Sequence, residues 1–260
     1  MRFKLFILFS IFLLSIPALV LAAPANIVIY GDGNYPPYSY IDDGKPAGIY
    51  IDILKEAFKR MPDYNVSIKM EPWKRILRNI KQGNYFAAFP PYYRSSRTWM
   101  DPYSVPILDE EMCLYCREDV VGQKRTWPEG YYNLIFGNNA GFLPGDKTFR
   151  DAIAAGKVTI EECSSTQSNL LKLQKGRIQC YINDAFSVQH ETKQLIRSGD
   201  FSSDHKIRMI QSISKEQGHL GYSKKFKASY KKDFIKKFDE VILNMKKEGA
   251  IETIQANFMM

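Results

Sequence analysis

Short apolar runs that alternate with amphipathic helical patterns, in two successive series, constrain this chain more than any other feature of its sequence. Ile27 to Tyr30 reads as a strand, Ile49 to Arg60 as a helix, Val66 to Met70 as a strand, Trp73 to Gln82 as a helix and Phe86 to Phe89 as a strand. A second series opens with a strand at Leu134 to Phe136. It continues through a helix at Lys147 to Ala155, a strand at Val158 to Glu162, a helix at Gln167 to Gln174 and a strand at Ile178 to Ile182. Strands that alternate with helices in this way pair in parallel and carry helices on both faces, so the expected fold class is α/β with two units.

Leu114 to Arg117 and Gly218 to Ser223 read as strands without a partner in their own series, and each lies where the chain must pass between the units. They are the expected hinge strands. The chain then divides into a first lobe of residues 23–112 and 218–260 and a second lobe of residues 113–217 with a hinge strand at each end. Phe234, Ile235, Phe238, Val241, Ile242 and Met245 recur at helical spacing, so a long amphipathic helix over Tyr230 to Met245 is expected to return to the first lobe.

Ahead of both lobes, residues 1–22 have the order of an export signal. Arg2 and Lys4 precede an apolar core, Leu5 to Leu14, and Val20-Leu21-Ala22 supplies small residues for cleavage. That core is shorter than the ~20 residues that span a bilayer, and Pro17 interrupts its end. Cleavage after Ala22 leaves about 238 residues, comfortable for two lobes of roughly 100 each. The first cysteine is Cys113, so no lipid acceptor stands at the new N-terminus. The expected product is a soluble periplasmic monomer.

The formal charge is +8, but Lys and Arg are interspersed with acids except for a concentration from Lys224 to Lys247, which reads as the wet face of a helix. No nucleic-acid partner is expected. Four cysteines in 260 residues do not make a disulfide scaffold, although an oxidising compartment permits bridges. Cys113 and Cys116, three apart in a strand, point to opposite faces and are expected to be reduced core thiols. Whether Cys163 and Cys180 bridge is open. His190, His205 and His219 lie in unrelated segments without metal-ligand spacing, and no Ser-His-Asp constellation or phosphate-cradling glycine loop is present. No metal, cofactor or catalytic group is expected.

Four stretches carry a family resemblance. The first is Asp32-Gly33-Asn34-Tyr35-Pro36-Pro37-Tyr38-Ser39-Tyr40, followed by Gly44 and by Gly48-Ile49-Tyr50-Ile51-Asp52-Ile53. The others are Trp73 to Gly83, then Arg97 with Met100-Asp101-Pro102-Tyr103-Ser104-Val105-Pro106-Ile107, and finally Gly176 to Asp184 with the returning His219-Leu220-Gly221-Tyr222-Ser223. On these the chain resembles the bacterial extracellular solute-binding proteins of family 3, the periplasmic amino-acid-binding components of ABC importers, over nearly its whole length. The resemblance implies the two-lobed periplasmic-binding-protein fold of type II. Each lobe is then a mostly parallel sheet flanked by helices, and two hinge strands join them. It also implies closure over a small amino-acid-like ligand and delivery to an inner-membrane ABC permease.

A free amino acid carries a carboxylate and an ammonium on one carbon, so its site needs a fixed cation and a fixed anion. The resemblance assigns these roles to Arg97, whose planar fork pairs a carboxylate twice, and to Asp184 from the other lobe. Asp184 also stands where a helix N-cap before Ala185-Phe186 belongs. Tyr35 and Trp73 fall where the family places aromatic walls, and Asp32 where a polar or cationic side chain is read; Asp32 equally suits the turn Asp-Gly-Asn. Two loops depart from the family pattern. Phe89-Pro90-Pro91-Tyr92-Tyr93 replaces small hydroxyl residues, and Gly137-Asn138-Asn139-Ala140-Gly141-Phe142 replaces a Gly-Thr helix start, which leaves Tyr92 and Asn139 as the candidate contacts there. Two other functions share the frame. One is a cyclohexadienyl-dehydratase-like enzyme with Glu71 as proton donor, and the other is a binding-only sensor domain.

Overall fold

The computed structural model describes residues 24–121 and 126–259, so the export signal expected over 1–22 lies outside the described residues. β1 (Ala25–Asp32) leads through a small meander of β2 (Asn34–Tyr35), β3 (Ser39–Asp42) and β4 (Lys45–Ala47) into α1 (Ile49–Lys59). Then come β5 (Tyr64–Glu71), α2 (Trp73–Gln82), β6 (Ala87–Phe89) and β7 (Met100–Tyr103). The middle of the chain forms β8 (Leu108–Arg117), the single turn α3 (Glu118–Val121), β9 (Ile135–Asn139), α4 (Lys147–Ala154), β10 (Thr159–Cys163), α5 (Thr166–Gln174), β11 (Cys180–Asp184), α6 (Ala185–Ser198) and β12 (Ile207–Gly218). The end is β13 (Gly221–Ser223), α7 (Lys231–Lys247) and α8 (Ala250–Met259).

Two five-stranded sheets result, in the orders β5-β1-β6-β13-β7 and β10-β9-β11-β8-β12. In each, three strands pair in parallel, as the strand-helix alternation requires, and two antiparallel strands complete the sheet. Every residue of β6 and of β11 is buried, because parallel strands in the middle of such a sheet are covered on both faces. α1 buries Ile49, Ile51, Ile53 and Leu54 in one core with Ile27 and Ile29 of β1, and α7 adds Phe234, Phe238, Ile242 and Met245 to the same core. Each such side chain contributes about 1.5–3 kcal/mol relative to exposure. The last long helix therefore returns to the first sheet. α2 ends at Gly83, whose φ of 89° is left-handed and brings its amide onto the Asn79 and Ile80 carbonyls.

The chain passes between the sheets at residues 104–107 and 219–220, and the two passages are hydrogen-bonded to each other. Ser104 N donates to Leu220 O at 2.8 Å, Ile107 N to Gly218 O at 2.8 Å, and Leu220 N to Ser104 Oγ at 2.9 Å. Leu114 to Arg117, expected to be a hinge, is instead the interior of β8: Leu114 pairs with Ile182 of β11 on one side and Gln211 of β12 on the other. Residues 112–116 are all buried there, so the stretch lacks the alternation that marks a half-exposed strand. The other stretch, Gly218 to Ser223, holds the end of β12, the passage at 219–220 and β13.

The expectation of a reduced Cys116 is also corrected. β8 and β11 run antiparallel with Cys116 directly opposite Cys180, their Cα atoms 4.1 Å apart, and the two form a disulfide. Reading Cys113 and Cys116 only against each other left the cross-strand partner out of view. Cys113 and Cys163 remain free. Closing a loop with a sequence separation of 64 removes chain entropy from the unfolded state. The double replacement Cys116→Ala/Cys180→Ala is therefore expected to cost about 2–4 kcal/mol in denaturant unfolding, and thiol titration of the unreduced, denatured parent should count only Cys113 and Cys163.

Candidate functional site

The C-terminal ends of parallel strands from both sheets face one cavity, the place where open α/β sheets expose backbone ends and loops to a ligand. From the first sheet come Asp32 at the end of β1, Tyr35 just after it, Trp73 at the start of α2, and Pro90, Pro91 and Tyr92 beyond β6. Met112 of β8, Asn138 of β9, Ile182 of β11 and the loop Phe142-Leu143-Pro144 come from the second. Arg94 and Arg97 complete the lining. The two sides touch around it: Phe142 meets Tyr35 edge-on with ring centroids 5.4 Å apart, Lys74 pairs with Glu162, and Ser187 Oγ donates to Pro36 O at 2.7 Å.

Arg97 is 9% exposed and forms no ion pair among the described residues; the Tyr103 hydroxyl stands beside it, and the like charge of Arg94 is close enough to act on it. Burial pulls its guanidinium below the usual value, against the favourable pull of Tyr103. Arg94, three residues earlier, is already satisfied. Its Nη1 binds Glu216 at 2.7 Å and its guanidinium lies 5.4 Å from the centre of the Tyr92 ring. Removing one cation from water without an anion costs several kcal/mol, so Arg97 is held in the cavity lining against an electrostatic penalty.

Asp32 is the corresponding acid. It is buried, accepts the Asn34 amide at 3.0 Å, and has no cationic partner among the described residues. Burial pushes its carboxyl up to about 7, with the Asn34 amide pulling the other way. An unpaired cation and an unpaired acid thus line one cavity whose remaining walls are aromatic, apolar or amide.

Of the candidates taken from the sequence, Asp32, Tyr35, Trp73, Tyr92 and Arg97 line this cavity, and Asn139 and Asp184 do not. Asp184 caps α6: its Oδ1 accepts Ser187 N at 2.8 Å and its Oδ2 accepts Glu111 N at 3.1 Å, with the Tyr38 hydroxyl also beside the carboxyl, so each oxygen already has a backbone donor. Asn139 points to the opposite face of β9 from Asn138. It donates to Thr166 Oγ1 at 3.2 Å and accepts from Asn169 at 2.9 Å and Tyr181 at 2.8 Å inside the second lobe. Strand period two puts Asn138 on the cavity side, where its Nδ2 donates to Phe142 O at 3.0 Å. Glu71, the candidate proton donor, accepts the Tyr85 hydroxyl at the end of β5 and is outside the lining.

Sequence reasoning missed Glu110. The alternation Leu108, Glu110, Met112 inward with Asp109 and Glu111 outward was the available signal, since it buries the middle of three consecutive acids. Its carboxylate accepts the hydroxyls of Tyr35, Tyr50 and Tyr92 and so fixes two rings of the cavity wall from behind.

The family model of the bacterial extracellular solute-binding proteins, family 3, matches residues 27–260. No curated protein sequence matches the chain. Among solved structures, an ancestral arginine-binding protein bound to arginine covers 92% of this chain and 100% of its own at a TM-score of 0.73 and 15% identity. A structure from work on glutathione import through GshT and a cystine ABC importer of Streptococcus mutans covers 90% and 95% at 0.73 and 17%. A histidine kinase sensor domain with similarity to periplasmic binding proteins covers 90% and 96% at 0.71 and 16%. These likenesses establish the two-lobed fold.

The raised carboxyl of Asp32 has a consequence for stability. The folded chain holds that proton more tightly than the unfolded chain, where a free aspartate titrates near ~3.9. Its favourable contribution is therefore complete below about pH 4 and lost as the pH rises through about 7. Asp32→Asn should accordingly be more stable than the parent at pH ~8, and urea unfolding should show the gap closing toward pH ~4.

Proposed function

Because the chain belongs to the bacterial extracellular solute-binding proteins of family 3, we propose that it captures a small zwitterionic, amino-acid-like ligand in this cavity and presents it to a membrane partner. Arg97 carries the reading: a buried guanidinium without a carboxylate, in a cavity, is matched by a ligand carboxylate bound through two parallel hydrogen bonds. Asp32, rather than the backbone-committed Asp184, supplies the anion for the ligand's ammonium or cationic side chain. Tyr35, Trp73 and Tyr92 flank the ligand and give contact area at small cost in conformational entropy. Binding draws the lobes together by flexing the paired crossing segments, and the closed form is what the partner distinguishes.

Export to the periplasm, with residues 1–22 removed, and delivery by a monomer to an inner-membrane ABC permease are the setting in which this chemistry serves import. The binding-only alternative is supported by the fold shared with a histidine kinase sensor domain, and there the closed form signals instead of delivering. Stimulation of a reconstituted permease's ATPase by the loaded protein separates the two.

A thermal-shift screen over amino acids, polyamines and small carboxylates should find a ligand that stabilises by ~2.7 kcal/mol at a hundred times its Kd. Calorimetry on that ligand should then show Arg97→Ala weakening binding by a few kcal/mol, and Tyr35→Ala by ~0.5–2 kcal/mol. Arg94→Ala, whose guanidinium is already paired with Glu216, should bind close to the parent. If Arg97→Ala binds as well as the parent, the ligand carboxylate is held elsewhere. If the screen yields only compounds without a carboxylate, the zwitterion reading fails.

A further inference from the structure

Glu110 is a buried acid that the proposed binding does not use. It is 3% exposed and lies at the start of β8, just beyond the first passage between the sheets. Its Oε2 accepts the Tyr35 hydroxyl at 2.5 Å and the Tyr92 hydroxyl at 2.6 Å, and its Oε1 accepts the Tyr50 hydroxyl at 2.6 Å. Tyr35 and Tyr50 belong to the core of the first lobe, whereas Glu110 is part of the second sheet, so these bonds span the junction.

The second passage is shaped to admit this cluster. Gly218 closes β12 there, and a Cβ at that position would lie 1.7 Å from the Tyr50 hydroxyl and 3.1 Å from Glu110 Oε1. A side chain at 218 cannot coexist with the contact. The charged and titratable groups facing Glu110 are Asp184 at the head of α6, Tyr38 beside it, and Glu216 opposite it on β12, the last already bound to Arg94. None of these is a cation free to neutralise it. Burial, and then the like charge of Asp184, push Glu110 up to about 8 against the pull of the three hydroxyls.

We propose that Glu110 is a proton-operated latch of the cleft: closing the lobes seals its carboxyl into the junction, so closure takes up a proton and the lobes part as the pH rises. The inference rests on the reading of the cavity as a cleft that opens and closes. In an open cleft the carboxyl meets water and titrates near the ordinary ~4.3, so between that value and about 8 the closed form holds the proton more tightly. Closure is then strongest below the lower value and weakens up to about tenfold per pH unit until the upper one is passed. The three hydroxyls moderate the loss by stabilising the carboxylate that remains in the closed form.

Small-angle scattering of the ligand-free, disulfide-intact mature protein between pH ~5 and ~9 tests this directly. The parent should have the smaller radius of gyration at the acidic end and expand toward the alkaline end. Glu110→Gln should remove most of that spread, and Asp32→Asn, which deletes the competing buried acid of the cavity, should keep it. Tyr50→Phe preserves the ring in the first core and removes one donor to the carboxylate, which raises the upper titration, so it should go on expanding beyond the pH at which the parent levels off and be the larger of the two near pH ~9. That keeps the test decisive if Glu110→Gln does not fold. A pH-independent radius in the parent overturns the proposal. So does a spread abolished by Asp32→Asn instead of Glu110→Gln, or a Tyr50→Phe profile superimposable on the parent's. Ligand binding lost through Arg97→Ala alongside a constant radius would sink the latch alone. A Glu110-dependent radius in a protein that binds no zwitterion would sink the proposed function alone.

Discussion

The two passages between the sheets, at residues 104–107 and 218–220, are bonded side by side, and the rest of the structure is arranged around that pairing. Because Ser104, Ile107, Gly218 and Leu220 satisfy one another's backbone groups, the chain crosses twice without leaving buried amides unpaired. The consequence is topological: both sheets present the C-terminal ends of their parallel strands to the same gap, beside the crossing. His219 contributes to the same junction, with its Nδ1 2.7 Å from the Ser104 carbonyl oxygen.

What collects around this junction is charge that the protein leaves uncompensated. Asp32, Glu110 and Asp184 are all buried acids raised first of all by loss of water, and each is treated differently. Asp184 is held by the amides of Ser187 and Glu111, Glu110 by three tyrosine hydroxyls, and Asp32 by the single Asn34 amide. Asp32, with a single donor, is the least satisfied of the three. Arg97 stands on the cationic side of the same account, buried and unpaired, beside an Arg94 whose pair with Glu216 shows that a partner was geometrically attainable. Leaving Arg97 unpaired is destabilising for the protein.

Much of this was legible in the sequence where local periodicity and burial coincide. The strand-helix alternation located β1, α1, β5, α2 and β6 and their counterparts in the second lobe, the helices to within one residue at each end and the strands to within three, because amphipathic helices between short apolar strands have few other arrangements. Arg97, Asp32, Tyr35 and Trp73, taken from a family pattern, and Tyr92, taken from a loop that departs from it, all line the cavity. What failed depended on partners far along the chain. Leu114 to Arg117 looked unpartnered because β12 lies about ninety residues away, and Cys116 looked unpaired for the same reason, its partner Cys180 being across a strand ladder. No local pattern encodes which residue will stand opposite another.

Asn139 and Asp184 make the same point about function. Asn139 sits one position from Asn138, which faces the cavity, and Asp184 two positions from Ile182, at the junction of β11 with α6. In a strand, one step reverses the face, and at a helix start an aspartate oxygen is claimed by the nearest free amide before any ligand arrives. Polar residues at such places are recruited first by the backbone's unsatisfied donors, and only those that the backbone leaves unsatisfied are free to recognise something else. Arg97 passes that filter because a guanidinium has no acceptor for an amide proton, and Asp32 passes it because only one amide reaches it. The polar lining of the cavity is therefore set by what capping and pairing leave over.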